Sequence, residues 1–208
     1  MMRSVAILAL FTFVMTGSFF TANGQQMQTL INGGVVHGGF GGPVVKFDNV
    51  ADDFGVWVGG RGAWMMTLQD GHAISIGGGG YGLVTEHRVP DPDFGEPDED
   101  LFGLVGYGGF IVEYTNRSYK LVHVTANTLI GAGGISVRDK DFDDISSSSD
   151  PFFVIEPGIS LELNVTHFFR ISAGMGYRYT SGIELAGFRD KDFTGPNANI
   201  NLKFGWFR

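Results

Sequence analysis

From Phe153 to Trp206 the chain alternates between apolar and polar positions with period two. Phe153, Ile155, Ile159, Leu161, Leu163 and Val165 fall on one phase, and Glu156, Ser160, Glu162 and Asn164 on the other. After a short interruption Phe169, Ile171, Ala173, Met175, Tyr177 and Tyr179 oppose Arg170, Ser172, Arg178 and Thr180. Ile200, Leu202, Phe204 and Trp206 then oppose Asn199, Asn201 and Lys203. Successive side chains of a strand point to opposite faces, so this pattern predicts three strands with charges repeatedly on one face and large apolar groups on the other. A membrane barrel with a polar interior has that pattern. A soluble sheet with a solvated polar face has it too.

Extended along the chain, the same reading predicts eight strands, at about 34–47, 54–68, 72–86, 101–115, 119–137, 152–165, 168–180 and 197–207. Three connections are of hairpin length: Gln69-Asp70-Gly71, Asn116-Arg117-Ser118 and Thr166-His167. They alternate with longer ones at 87–100, 138–151 and 181–196 and a shorter one near Asp48 to Asp53. Loops sorted by length to opposite ends, joining an even number of strands, predict an all-β, eight-stranded antiparallel up-and-down transmembrane barrel. The N-terminal half alternates less cleanly. Trp57, Arg61 and Met65 oppose Val56, Val58 and Trp64, and Val105 and Ile111 share a phase with Glu113, so the interior there is mixed. His123, Thr125 and Asn127 mark a polar interior phase on the fifth strand.

The 33 glycines suit a narrow barrel, which must coil sharply and has little room inside. No helical periodicity follows any glycine run, which argues against a phosphate-cradling loop. Met1 to Ser4 carry one positive charge, Val5 to Met15 are apolar apart from Thr12, and Ala22-Asn23-Gly24 offers small residues for cleavage. Residues 1–24 thus read as a signal peptide, and 25–208 as one barrel domain. Loss of Arg3 leaves 13 basic against 22 acidic residues, a net charge of −9, which argues against a nucleic-acid partner. The chain has no cysteine, which favours a bacterial envelope protein over a disulfide-stapled eukaryotic one.

On this scheme Arg61, Glu113, Glu156, Glu162, Arg170, Arg178 and Lys203 point into the lumen. An eight-stranded barrel is filled by its own side chains, so these charges are expected to pair across the interior, Glu162 with Arg170 foremost. Phe153, Tyr177 and Tyr179 near the outer rim, and Phe169, Phe204 and Trp206 near the inner one, would form two aromatic girdles. Arg-Asp-Lys-Asp-Phe occurs twice, at 138–142 and 189–193. Asp139, Asp141 and Asp143 have the alternate spacing of a calcium loop, but Asp144 stands where such a loop needs glycine. No residue is assigned to catalysis or to a cofactor. Of the five histidines only His87, beside the acidic stretch Asp91 to Asp100, stands where a rim-located enzyme would place a base. No Gly-x-Ser-x-Gly elbow is present.

The segment Pro151-Phe-Phe-Val-Ile-Glu-Pro-Gly158, with Leu161 to Arg170 and Gly176 to Gly182, resembles the small outer-membrane barrels of Gram-negative bacteria, of the OmpX and OmpA-barrel size class, and in particular barrel proteins of Bacteroidota-type genomes. The ending Leu202 to Arg208 resembles their terminal strand, one residue past the aromatic. The resemblance is specific over about 150–208 and architectural before that. It implies a fold and a place, the outer membrane, and no settled activity; the expectation adopted here is a monomer with the lipid bilayer and the outer-membrane assembly machinery as partners and a structural, adhesive or interaction role through acidic external loops. Two alternatives stay open. One is a secreted lipocalin-like barrel binding a small apolar ligand, suggested by Gly55-Val56-Trp57; the other is a lipid-modifying enzyme.

Overall fold

The computed structural model describes residues 34–89, 101–138 and 145–207, of which 145–148 are described by their backbone alone. The signal peptide, Asp139, Asp141 and Asp143, and the acidic stretch 91–100 lie outside the described residues.

Eight long strands close into an antiparallel barrel. They are β1 (Val36–Val50), β2 (Asp53–Thr67), β3 (Ala73–Leu83), β4 (Phe102–Asn116), β5 (Val122–Arg138), β6 (Ile145–Asn164), β7 (Phe169–Ser181) and β10 (Gly195–Trp206). A two-stranded ribbon, β8 (Glu184–Leu185) and β9 (Phe188–Arg189), and a single helical turn, α1 (Asp190–Phe193), occupy the last connection. Each strand pairs with its neighbour in sequence, and β1 closes the ring on β10 with Gly39 opposite Trp206 and Asp48 opposite Asn197.

Two connections differ from the sequence expectation. The first is a two-residue turn in which Ala51 and Asp52 both have positive φ, 48° and 68°. Two left-handed residues match the twist of a hairpin, so β1 and β2 run straight into the turn. The stretch expected as a loop over 138–151 is mostly strand: β5 continues to Arg138 and β6 begins at Ile145. β7 stops opposite Phe153, so the first eight residues of β6 pair with β5 alone and project past the rim.

Alternation sorts the side chains into two populations. Outside, Val58, Trp64, Phe110, Val112, Ile130, Ile159, Leu161, Met175, Ile200 and Trp206 are each more than 40% exposed. Inside, apolar layers sit near both ends and charged groups lie between them. The layer at the end bearing the long connections, here called the outer end, contains Val50, Trp57, Val105, Ile135, Phe152 and Val154. Ile183, Phe188 and Phe193 from the last connection fold over it and are each about 1% exposed. The layer at the other, inner end is Phe40, Met65, Ala73 and Phe207. Trp206 and Phe207 thus part company: the first faces out at 58% exposure, and the second turns inward at 9%.

Candidate functional site

The chemistry in this molecule is concentrated inside the barrel. The seven residues that alternation assigns to the lumen, Arg61, Glu113, Glu156, Glu162, Arg170, Arg178 and Lys203, are all buried there, none more than 9% exposed. They fall into two groups at different heights.

The group toward the inner end is a chain of alternating charge. Arg61 pairs with Glu113, whose other oxygen accepts from Lys203 Nζ at 2.7 Å. Lys203 Nζ also donates to Glu162 Oε2 at 2.5 Å. Glu162 Oε1 accepts from Arg170 Nη1 at 2.9 Å and lies 3.1 Å from His123 Nε2. One lysine on β10 therefore links carboxylates on β4 and β6. A buried charge is tolerable only when paired and hydrogen-bonded, and the alternation of sign along five side chains meets that condition.

The group toward the outer end includes two charges that the sequence reading did not assign, Lys46 and Asp48. Lys46 Nζ donates to Glu156 Oε1 at 2.5 Å and to the Tyr107 hydroxyl at 3.0 Å, and that hydroxyl donates to Glu156 Oε2 at 2.6 Å. Arg178 pairs with Asp48, donates from Nε to the Phe193 carbonyl at 2.8 Å, and stacks 4.2 Å from the Trp57 ring. Trp57 Nε1 in turn donates to Asp48 Oδ1 at 3.0 Å. Lys46 lies 3.5 Å over the Tyr81 ring. Burial strengthens such cation and ring contacts because water no longer competes for the cation.

The missed residues carry a signal that can be stated. Lys46 and Asp48 share a phase with Val44 and Val50, but Gly41-Gly42-Pro43 obscures the phase of β1. Tyr107 shares its phase with Glu113 on β4, and the charge alone places that phase inside.

Between the two groups Lys46, Arg61, Tyr81, Asn127, Glu156 and Asn201 surround a void of only about 20 Å³, room for a single water.

The six aromatics assigned to girdles all lie on the outer wall. Phe169 and Phe204 stack at 4.7 Å near the inner end, with Trp206 beside them. Trp64 stacks on His37 at 5.3 Å, and Gly39 lies between Trp64 and Trp206 in the sheet. Tyr177, Tyr179 and Phe153 lie near the outer end of β7, with Phe153 opposite its last residue.

His87 is buried, 4% exposed, and its Nε2 lies 3.0 Å from Thr85 Oγ1. That oxygen also accepts from Val56 N at 3.2 Å. Burial pushes the His87 pKa down from its ordinary value, and its Nδ1 has no hydrogen-bond partner. A histidine enclosed with no carboxylate hydrogen-bonded to it is poorly placed to pass protons to a substrate. Among the described residues no three His, Asp or Glu side chains gather as a metal site. The second Arg-Asp-Lys-Asp-Phe copy has a plain structural use. Asp190 Oδ1 accepts from Ile183 N at 2.8 Å, Asp192 Oδ2 accepts from Arg189 N at 2.8 Å, and Phe193 is packed into the core.

No protein-family model and no curated protein matches this chain. Among solved structures it is similar to Neisserial surface protein A, with 13% identity over 83% of this chain and 97% of that one and a TM-score of 0.41. It is also similar to the N-terminal β-barrel domain of Pseudomonas aeruginosa OprF, with 13% identity, 82% and 97% coverage and a TM-score of 0.41. Ail, the attachment invasion locus protein of Yersinia pestis, is 12% identical over 84% of this chain and 100% of that chain, with a TM-score of 0.46.

Proposed function

We propose that this chain is an integral β-barrel of a Gram-negative outer membrane, exported by the signal peptide at 1–24, that serves a structural, adhesive or interaction role through its external connections and carries no catalytic activity. The observation that supports this reading is the inversion of the barrel. Large apolar side chains cover the outside, and buried lysine, arginine and glutamate fill the inside. Water is a poor solvent for that outer surface, since soluble monomers rarely expose apolar patches beyond a few hundred Å². A bilayer solvates it, and a closed ring leaves no unpaired strand edge facing the lipid. Trp64, Phe169, Phe204 and Trp206 at one level, and Phe153, Tyr177 and Tyr179 at another, suit the two headgroup boundaries.

A lipocalin-like barrel needs the opposite polarity and an internal chamber for an apolar ligand. The described interior offers charge and a void of about 20 Å³. Trp57, which prompted that alternative, is spent on Asp48 and Arg178.

Cell fractionation and detergent extraction test the proposal. The protein is expected in the outer-membrane fraction, soluble only with detergent, and to migrate faster unboiled than boiled. A monodisperse protein in plain buffer would overturn it.

A further inference from the structure

Among the described residues four prolines lie in the barrel strands: Pro43 in β1, Pro151 and Pro157 in β6, and Pro196 in β10. Proline has no N–H, so each removes a ladder bond toward one neighbour. The registers show which neighbour it is. Pro43 is paired with Gly60 of β2, whereas the β1–β10 register passes from Gly41–Phe204 to Val44–Asn201 and omits Pro43 and Leu202. Pro157 is paired with Thr128 of β5, whereas the β6–β7 register passes from Ile155–Tyr179 to Gly158–Gly176 and omits Pro157 and Tyr177. Pro151 is paired with Gly134 of β5 and Pro196 with Tyr177 of β7, and each stands just beyond the last pair of the same two seams. N–H groups alternate sides along a strand, and Pro151 and Pro196 lie an even number of residues from Pro157 and Leu202. All four missing donors therefore fall on the β1–β10 and β6–β7 seams. The registers of β2–β3, β3–β4, β4–β5 and β7–β10 run unbroken.

Those two seams bound a single element, the β7–β10 hairpin. They divide the ring into that hairpin and a six-stranded sheet, β1 to β6, whose two edges both carry proline, a residue of sheet edges. The buried charges divide in the same way. The hairpin strands contribute Arg170, Arg178 and Lys203 and contain no carboxylate. The carboxylates these cations meet all belong to the sheet: Arg170 pairs with Glu162, Lys203 with Glu113 and Glu162, and Arg178 with Asp48. At each gap the residue next to the omitted one is such a cation, Lys203 beside Leu202 and Arg178 beside Tyr177. Ile183, Phe188 and Phe193, which cover the outer end, lie in the connection that joins β7 to β10 and so belong to the hairpin too.

We propose that the β7–β10 hairpin is a gate leaf in the barrel wall, which parts from the β1–β6 sheet as one unit along both seams and carries the phenylalanine lid with it. Ion pairs across the lumen hold the leaf shut where the ladders are interrupted. With the axis occupied by those charged groups, the opening is sideways through the wall. Partial opening of folded proteins follows contiguous supersecondary units, and this hairpin is one whose internal ladder is intact while both of its outer ladders are not.

The test is amide hydrogen exchange of the full chain, refolded in zwitterionic micelles and read residue by residue by NMR. Alternation places the N–H groups of Val45 and Ile200 on the β1–β10 seam, those of Ala173 and Met175 on the β6–β7 seam, and those of Ser172 and Asn201 inside the leaf. Protection at the four seam amides is expected to be equal, and at least about tenfold below that at Ser172 and Asn201. Pro157→Ala restores a donor on one seam and should raise protection roughly tenfold on both, the effect of about one ladder bond. A local defect would change Ala173 and Met175 alone. If that variant fails to refold, the oxidised double variant Ile159→Cys, Met175→Cys clamps the same seam between cross-strand partners of a chain that has no cysteine of its own, and should likewise protect Val45 and Ile200. Seam amides as protected as those inside the leaf, unequal protection on the two seams, or a response confined to the altered seam each overturns the proposal. None of these outcomes bears on whether the barrel lies in a membrane.

Discussion

Glu162 is the side chain on which most of the interior depends. Its two oxygens face Lys203, Arg170 and His123, so it anchors groups from β5, β7 and β10 to β6. Replacing it with leucine leaves Arg170 without a carboxylate and Lys203 with Glu113 alone, and loss of one partner from a buried ion pair costs about 3–5 kcal/mol. Glu162→Leu should therefore lower stability to urea in detergent by that order. Combining it with Lys203→Met should cost clearly less than the two single changes summed, because both single changes already break the Lys203–Glu162 bridge and the second removes a cation that the first left with one carboxylate in place of two. Additive losses would show that the two residues do not act as a pair. Alternation makes Glu162, Arg170 and Lys203 legible in the sequence, because each interrupts a run of apolar residues at a fixed phase. The pair Glu162 and Arg170, on one hairpin, is legible too, whereas the bridges of Lys203 to Glu113 and Glu162 are not, since those partners are set by the stagger of strands far apart in the chain.

At the level of the strand, β6, β7 and β10 can be read from sequence because polar and apolar residues alternate through them nearly without fault. β1 and β4 resist, since a glycine has no side chain to declare which face it occupies. The last connection resists for a different reason. The region 182–194 has no period of its own, and its ribbon and single helical turn exist because Phe188 and Phe193 find the apolar layer at the barrel mouth. Glycines on one strand also differ in what they do. A Cβ on Gly131 would lie 2.0 Å from the Gly108 carbonyl oxygen, so β4 and β5 can approach there only without side chains. A Cβ on Gly134, three residues on, would meet nothing within 4 Å. Gly131→Ala is expected to block refolding or reduce stability severely, judged by loss of the unboiled gel form. Gly134→Ala should be tolerated or stabilise by about 0.4–1 kcal/mol through the unfolded chain. Equal behaviour of the two would refute close strand approach as the reason for the glycine.

At the scale of the whole molecule, the described residues fill the interior at three levels, the phenylalanines of the last connection, the ion-paired groups, and Phe207 stacked on Phe40 at the inner end. Planar-bilayer recordings should accordingly show no steady conductance, and Phe188→Ala with Phe193→Ala should not create one, because the charged layers lie below. An open, ohmic pore in either protein would disprove the filled lumen. The ring also has an order in time. β1 finds its second neighbour only in β10, roughly 160 positions later, and until Trp206 meets Gly39 both β1 and β10 present a bare edge. Pairings so distant in sequence form slowly. The last strand is therefore the latch of the assembly: an emerging chain stays a curled ribbon, open to pairing with other chains, until its final dozen residues arrive and seal it.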